Sequence, residues 1–527
     1  MNNLKRILTM CLAVSLMTSC DKGFEQLNTN PLAITQISDP GLLLTNILRN
    51  TSTAGGWDAE STIVQHFVLP YNVGATLGYQ FNDNNPGINA GPWGVYTGVL
   101  RTTGQLITLV KDNPARSNLY NMARIWRAYH FMWLVDHYGD VPYSEALQGQ
   151  AEGKFYPKYD KGAVIYEDLY KEIKEATAAL DPAKDNNAAF DIFVSTSAST
   201  AAEITFWKRL GYSLLLRLGM RYSKVDANKA RTIVTEAFNG GVMQTNADNV
   251  VVRNMTDAGA PIVGFENGRM TTIRVQNAFN YYVAEPFVDT LKRFRDPRLK
   301  FIAARYAPLQ STAPQVVSPD TTMANQFGFP VGIDQSNFPT THPSYRAPTG
   351  TGQNFSQLNY NVVANMTTPS LVITNAQTKL LLAEAAFRNW LPAGAQTAQQ
   401  YYEAGVKASM DAYTLFPNTT PIPVSLQNEY LNVPGVAWDN SSALSLINTQ
   451  YWIENFNNGY EAWCNWRRTG LPVLKPNLIN ANLAGGFIRR FSYPQDEQTT
   501  NAVNYQAAVS TLGGPDFLTT RIFWDTP

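Results

Sequence analysis

The chain has 527 residues, of which 41 are basic and 41 acidic, so its formal net charge is zero. A balanced charge gives no electrostatic attraction to nucleic acid or to an anionic bilayer surface, and both classes of partner are disfavoured. The three cysteines are Cys11, Cys20 and Cys464; because the first two lie in or next to a leader segment, no internal disulfide is expected.

Residues 1–19 have the features of a secretory signal peptide: two basic residues precede a short apolar run, which ends in small polar residues. The run is too short to span a membrane. The sequence LMTSC resembles a bacterial lipobox, so we expect acylation at Cys20. The alternative is an ordinary signal peptide that is cut elsewhere. Residues 20–38 are expected to form a tether to one domain at 39–527.

Most of the remaining chain has apolar residues at three- and four-residue spacing, which predicts a mostly α-helical fold. The strongest pattern covers 121–147, where two apolar faces indicate a helix packed on both sides. We expect this helix to end at Gly139, which can adopt a positive φ, ahead of Pro142. Further helices are predicted to begin at 39 and 92 and to cover 163–180, 203–226, 227–238, 286–294, 374–389, 398–413 and 442–456.

The predicted helices come in pairs, and Ala383 and Phe387 have the spacing that tetratricopeptide helices use to dock on their partners. No regular repeat of about 34 residues is present. We therefore predict a degenerate scaffold of tetratricopeptide-like helix pairs, an α-α superhelix, that carries a large irregular, loop-rich ligand-binding region.

Irregular segments separate the predicted helices. The longest are 57–91 and 306–370, and loops of such length are usually functional or disordered. Strand-like runs at 249–252 and 261–264 predict a small hairpin. The tail from 485 to 524 is expected to be irregular with short strands.

No motif in the sequence points to catalysis. His130 and His137 lie about 10 Å apart along one helix, too far to share a metal ion, and are interpreted as packing or surface residues. No Gly-x-Ser-x-Gly elbow or His-Glu-x-x-His pair occurs, and Cys464 has no histidine near it in sequence. We predict no catalytic residue, cofactor or metal site. A structural calcium ion is left open, as is a glycosidase pair drawn from the 41 acidic residues.

The segment GYEAWCNWRRTG allows two interpretations. Glu461, Arg467 and Arg468 could grip a sugar, or Glu461 could pair with an arginine where the last helices meet. We favour the ion pair, because Trp463 and Trp466 indicate burial. Three other tryptophans at helical spacing are also interpreted as core: Trp126, Trp133 and Trp207.

Six segments in order along the chain resemble the SusD/RagB family of nutrient-binding outer-membrane lipoproteins from Bacteroidetes. They are LVDHYGDVPYSEAL at 134–147, FWKRLGYSLLLRLGMRYSKVD at 206–226, DPRL at 296–299, KLLLAEAA at 379–386, QYWIENFNNGYEAWCNWRRTGLPVL at 450–474 and RRFSYPQDEQTTNAVNY at 489–505. The resemblance implies a mostly α fold and a non-catalytic protein, lipid-anchored on the cell exterior. It also implies a TonB-dependent SusC-like transporter as partner and an oligosaccharide as ligand. Some relatives bind peptides instead.

A carbohydrate site needs exposed aromatic rings that stack on sugar rings, flanked by amides or charged groups that hydrogen-bond hydroxyls. The loop at 57–91 and the segments 281–282 and 327–345 supply this combination. The candidate ligand contacts are Trp57, Tyr71, Tyr79, Phe81, Asn82, Asn84, Tyr282 and Phe329. A peptide-binding import lipoprotein of the same family is the alternative function, and a surface glycan-processing enzyme is a weaker one.

Overall fold

The computed structural model describes residues 37–51, 59–70, 89–257, 260–261, 265–276, 281–307, 318–333, 338–349, 354–476, 483 and 486–527. Residues 43–527 form one compact unit. Its described part is mostly helical, as the sequence predicts, with short strands between the helices.

The helices have the following bounds: α1 Gly41–Asn50, α2 Ala59–Ile63, α3 Arg101–Val110, α4 Ser117–Tyr138, α5 Gly149–Glu152, α6 Gly162–Ala179, α7 Thr200–Arg221, α8 Ala227–Gly240, α9 Gly268–Thr271, α10 Glu285–Arg293, α11 Leu299–Ile302, α12 Asn375–Phe387, α13 Ala398–Asp411, α14 Val424–Tyr430, α15 Ala443–Glu454, α16 Gly459–Thr469, α17 Gln495–Thr500 and α18 Ala502–Val509. The strands are β1 Phe67–Val68, β2 Val141–Pro142, β3 Tyr159–Asp160, β4 Val250–Val252, β5 Thr256–Asp257, β6 Ala260–Pro261, β7 Tyr282–Val283, β8 Ala303–Ala304, β9 Gln357–Leu358 and β10 Ser370–Ile373.

Helices that follow one another in the chain pack against each other in pairs, which is consistent with the predicted helical-repeat scaffold. The pair α12 and α13 and the pair α7 and α8 have the most extensive contacts, and α4 lies between α3 and α6. Glycine allows one close crossing: a Cβ atom on Gly211 of α7 would lie 2.1 Å from Thr177 Oγ1 and 2.8 Å from Thr177 Cγ2 of α6. The two helix backbones therefore approach more closely than any larger residue would permit.

Helix α4 is the predicted core helix. Residues on both of its faces are buried, including Trp126 and Phe131, and it ends at Gly139, whose φ is 85°. Trp207 is also fully buried. Trp133 differs from the prediction, because its side chain is only partly buried and lines a cavity.

Buried charges connect α4 to the other helices. The Asp136 carboxylate accepts hydrogen bonds from Tyr166 of α6, from Tyr460 of α16 at 2.8 Å and from Trp524 Nε1 at 2.9 Å. Arg221 of α7 contacts Asp136 at 3.4 Å. Nothing in the local sequence pattern of α4 indicates this role for Asp136, because its partners are distant in the chain.

Glu461 forms an ion pair, as predicted, although its partners lie on α7 and not at its own end of the chain. Arg221 donates to both carboxylate oxygens of Glu461, at 2.6 and 3.1 Å, and Arg217 lies 3.4 Å away. Burial alone would raise the pKa of Glu461, but the charges of Arg217 and Arg221 outweigh it and lower that pKa. Arg468 pairs with Glu384 of α12 at 2.6 Å, and Arg467 stacks on Trp463. The charged side chains Glu461, Arg467 and Arg468 therefore have a structural role within the helical core.

The strand predictions are confirmed only in part. A small hairpin does lie in this region, where β5 pairs antiparallel with β6 at Ala260–Pro261. The predicted strand at 249–252 is present as β4 Val250–Val252, but it pairs with β10 at 370–373. The described part of the tail forms helices α17 and α18 and no strand. The tail residues Gln495–Val509 lack the apolar spacing of a core helix because most of their side chains face solvent.

The close crossing at Gly211 predicts a stability effect. In Gly211→Ala the new methyl group overlaps the side chain of Thr177, so we expect a loss of about 1–3 kcal/mol in the free energy of unfolding, measured by urea titration. Gly98→Ala is the matched control, because a Cβ atom added to Gly98 would have no other atom within 4 Å. Equal stabilities of the two variants would contradict the tight crossing of α6 and α7.

Glu203 of α7 predicts a pH dependence. Its carboxyl is buried, and burial raises its pKa from 4.5 to about 7, which a hydrogen bond from Asn187 N only partly offsets. A raised carboxyl pKa means that the folded state binds the proton more tightly than the unfolded state does. The contribution of Glu203 to the free energy of unfolding is therefore complete at low pH and is lost as pH rises from about 4.5 to 7.

We therefore expect the unfolding free energy of wild type to fall relative to that of Glu203→Gln over this interval, with a slope approaching roughly 1.4 kcal/mol per pH unit. The amide can accept the same hydrogen bond from Asn187 but does not titrate. Burial of the amide changes the free energy of unfolding by an amount that does not depend on pH. The slopes of the two curves are therefore compared, and not their absolute values. Parallel curves would show that Glu203 has an ordinary pKa.

Candidate functional site

Most of the predicted site lies outside the described residues. This applies to the lipidation site and to the predicted contacts of the first long loop: Cys20, Trp57, Tyr71, Tyr79, Phe81, Asn82 and Asn84. These assignments stay predictions.

A four-stranded antiparallel sheet brings the three predicted segments together. Its strand order is β1, β7, β9, β8. Strand β1 lies within the loop at 57–91, β7 contains Tyr282, and Phe329 forms a parallel bridge with Ala284, directly after β7. Backbone hydrogen bonds join the segments, from Ala284 N to His66 O at 3.0 Å and from Glu285 N to Phe329 O at 2.8 Å. Three segments that are far apart in the sequence therefore meet at one small sheet.

Tyr282 and Phe329 themselves do not have the exposure that the prediction requires. Both residues are completely buried, and their ring centroids lie 5.4 Å apart. A ring without an accessible face cannot stack on a sugar, so the structure assigns both residues to packing beneath the site. The sequence could not distinguish an aromatic residue under a loop from one on its surface.

Half-buried aromatic side chains lie above this packing layer. Phe338 contacts Phe329 at 5.5 Å between centroids, and Tyr345 packs edge-on against Phe338 at 5.4 Å. His342 contacts the same ring. Ser344 Oγ donates a hydrogen bond to Glu285, which also pairs with Lys475 at 2.6 Å, so the segment is fixed to helix α10. These rings combine partial exposure with fixed positions.

Phe327 lies beside this group, and positively charged side chains surround it. The Arg346 guanidinium carbon lies 3.6 Å from the centroid of the Phe327 ring, Lys292 Nζ lies 4.6 Å away, and the guanidinium carbon of Arg305 lies 5.5 Å away. The Phe327 ring lies within the predicted 327–345 segment, but the three cations do not belong to any predicted site. They come from α10, from the end of β8 and from the loop before β9, and no sequence motif connects them.

A second candidate is a cavity next to α4. It has a volume of about 110 Å³ and is lined by Tyr129, Trp133 and Tyr460, with Asn267 and Arg269 at one side. Trp133 Nε1 has no hydrogen-bond acceptor among the described residues. The cavity is large enough to hold several water molecules.

Three described groups that could act in acid–base or nucleophilic chemistry have pKa values that oppose such a role. Burial lowers the pKa of His66 to about 3 and that of His130 to about 4, so both rings are neutral at physiological pH. Burial also raises the pKa of Cys464, which keeps its thiol protonated. Within the same part of the chain, no group of three or more His, Cys, Asp or Glu side chains is arranged to hold a metal ion.

Within the described part of the chain, no helix combines the length and the apolar character that crossing a bilayer requires.

Solved structures with the same fold cover nearly the whole chain. A chitin-binding protein is 26% identical with a TM-score of 0.75, and the match covers 93% of this chain and 100% of that one. A Bacteroidetes SusD-like protein, AC2a, is 24% identical with a TM-score of 0.79 and the same coverage. A chitin-binding SusD homologue from Flavobacterium johnsoniae is 23% identical with a TM-score of 0.70, covering 92% of this chain and 98% of that one.

The curated proteins give no match. A SusD-like family model, described as "Starch-binding associating with outer membrane", matches residues 31–494. The match spans the helical scaffold, the four-stranded sheet and the loops that rise from it. The chain belongs to the SusD-like family of proteins associated with the outer membrane.

Proposed function

We propose that this protein is a lipoprotein of the cell surface that binds extracellular glycan and passes it to a TonB-dependent SusC-like transporter. The observation that carries the proposal is the meeting of three aromatic- and amide-rich segments at one sheet. Half-buried rings next to hydrogen-bonding side chains are what a sugar requires, since its ring faces are apolar and its edges are polar.

Other observations agree with this proposal. Two of the similar solved structures are described as chitin-binding proteins, and chitin is a polysaccharide. The family's association with the outer membrane fits an acylated Cys20 as the anchor. In this proposal the protein binds its ligand without chemical change, because neutral buried histidines and a protonated buried thiol are poor acid–base or nucleophilic groups.

The proposed transporter partnership rests on the barrier that a bilayer presents to a polar oligosaccharide. A binding protein held outside the cell by acyl chains has no route of its own for moving a polar oligosaccharide across a bilayer. A separate channel or transporter must accept the ligand. We assign that role to a SusC-like outer-membrane protein.

A glycan panel tests the proposal. We expect wild-type protein without its leader to bind at least one oligosaccharide by calorimetry, and Trp57→Ala and Tyr79→Ala to weaken that binding. Loss of one aromatic ring that a bound sugar would cover removes roughly 1.5–3 kcal/mol, about ten- to hundredfold in Kd. Tyr156→Ala is the matched control, because this tyrosine is 68% exposed and lies on the loop before β3.

Three results would contradict parts of this proposal. Unchanged affinity in both Trp57→Ala and Tyr79→Ala would remove these rings from the site. Cleavage of the oligosaccharide would make the protein an enzyme. Binding to a peptide panel with no response to any glycan would favour the peptide-importing alternative.

A further inference from the structure

The strongest unassigned feature is the cationic ring, defined here as Phe327 with Lys292, Arg305 and Arg346 around it. All four side chains are partly buried. Arg346 is the closest to the Phe327 ring, 3.6 Å from its centroid, in a stacked cation–π contact. Stacking on the ring fixes the plane of the guanidinium, so its remaining N–H groups point in set directions.

Neutral oxygens are the only protein acceptors of these cations among the described residues. Lys292 Nζ donates to Gln326 O at 2.6 Å, and Arg346 Nε donates to Asn354 O at 2.9 Å. Arg305 donates to the side-chain oxygen of Asn354. None of the three cations forms an ion pair with a carboxylate in that part of the chain.

Three buried arginines of the helical core, by contrast, are neutralised. Arg221, Arg298 and Arg468 each have a carboxylate partner at 2.6 Å. In a chain of zero net charge, three neighbouring cations without a carboxylate partner among the described residues form a local excess of positive charge. Such an excess near the surface attracts anions.

Two described acidic side chains in the neighbourhood of the cationic ring have other partners or neighbours. Asp320 accepts hydrogen bonds from Thr322 N and from Asn325 Nδ2, which lower its pKa together with the Arg305 charge. Asp289 lies on the same helix as Lys292, and partial burial and the Glu285 charge raise its pKa. Neither carboxylate pairs directly with the cationic ring.

The two guanidinium groups also repel each other. Partial burial lowers the pKa of Arg346, and the nearby Arg305 charge adds to that effect. An anion between the two groups would offset this repulsion, and planar guanidinium groups match carboxylate and sulfate oxygens through paired hydrogen bonds. A guanidinium has five N–H donors, and Arg346 uses only its Nε–H on a protein acceptor that the structure describes.

The cationic ring adjoins the sheet that organises the proposed glycan site. Phe327 and Ser356 exchange hydrogen bonds, with Ser356 N donating to Phe327 O at 2.7 Å, and β9 begins at the next residue. Arg305 directly follows β8 of the same sheet. A glycan bound above the sheet therefore has this charge within its reach.

We propose that the cationic ring binds the carboxylate or sulfate group of an acidic glycan. This inference rests on the proposed function and narrows its substrate class to polysaccharides that carry uronic acid or sulfate ester groups. The aromatic rings near the sheet contact the sugar faces, and Arg346 and Arg305 hold the anionic group between them.

The test compares matched ligands that differ in charge. Oligogalacturonate is measured against its fully methyl-esterified form, and dextran sulfate against dextran, by calorimetry in low salt and in 150 mM salt. We expect at least one acidic ligand to bind at least tenfold more tightly than its neutral counterpart. The preference should shrink at the higher salt concentration, because salt screens partly exposed charges.

Substitutions test whether the cationic ring is the source of the preference for acidic ligands. Arg346→Gln and Arg305→Gln should each lose most of the preference for the acidic ligand, and Arg346→Lys should restore part of it. Arg231→Gln is the matched control, since it removes one positive charge from an exposed position on α8. Thermal melting of each variant shows whether it has folded, and Lys292→Gln provides a further test if one arginine variant does not fold.

The outcomes separate this inference from the function on which it rests. Equal binding of charged and neutral ligands overturns the acidic-glycan assignment but leaves glycan binding intact, as does a preference that all the cationic-ring variants retain. Binding of neutral glycans alone likewise overturns the acidic-glycan assignment and leaves glycan binding intact. Failure of every glycan to bind contradicts both proposals.

Discussion

The Asp136 carboxylate is fully buried within the helical scaffold, and the rest of the structure depends on how it is satisfied. It receives donors from α6, α7, α16 and the C-terminal segment, while Arg221 joins it to Glu461. Removing one member of such a network costs about 3–5 kcal/mol, because the remaining charge stays buried without its partner. The network therefore fixes the relative positions of helices that are distant in sequence.

This scaffold gives the loops a rigid base. His66, next to β1, is buried against Trp452 of α15, and Phe287 of α10 packs on both rings. The four-stranded sheet is thereby attached to the helices on one side, and the aromatic and cationic side chains occupy the segments that extend from it. A site built in this way keeps its scaffold constant while loop residues change with the ligand.

Local patterns predicted the parts of the fold that depend on local residues. The core helix and its end at Gly139 follow from apolar spacing and one glycine. The segments that carry the family resemblance also contain Asp136, Arg221, Glu384, Glu461 and Arg468, which pair across the core. The pairing of β4 with β10 and the grouping of cations around one ring could not be predicted, because each joins residues that are distant in sequence and lack a shared motif.

Hydrogen exchange with and without a bound oligosaccharide tests the central claim, that ligand binds at the sheet-based loops and not in the helical core. The account predicts increased protection in 63–70, 281–284, 326–330 and 341–358, with α4 and α16 unchanged. Both helices are buried in the core, so we expect them to exchange slowly with or without ligand. Protection confined to the cavity beside Trp133, with no change in the sheet segments, would contradict it.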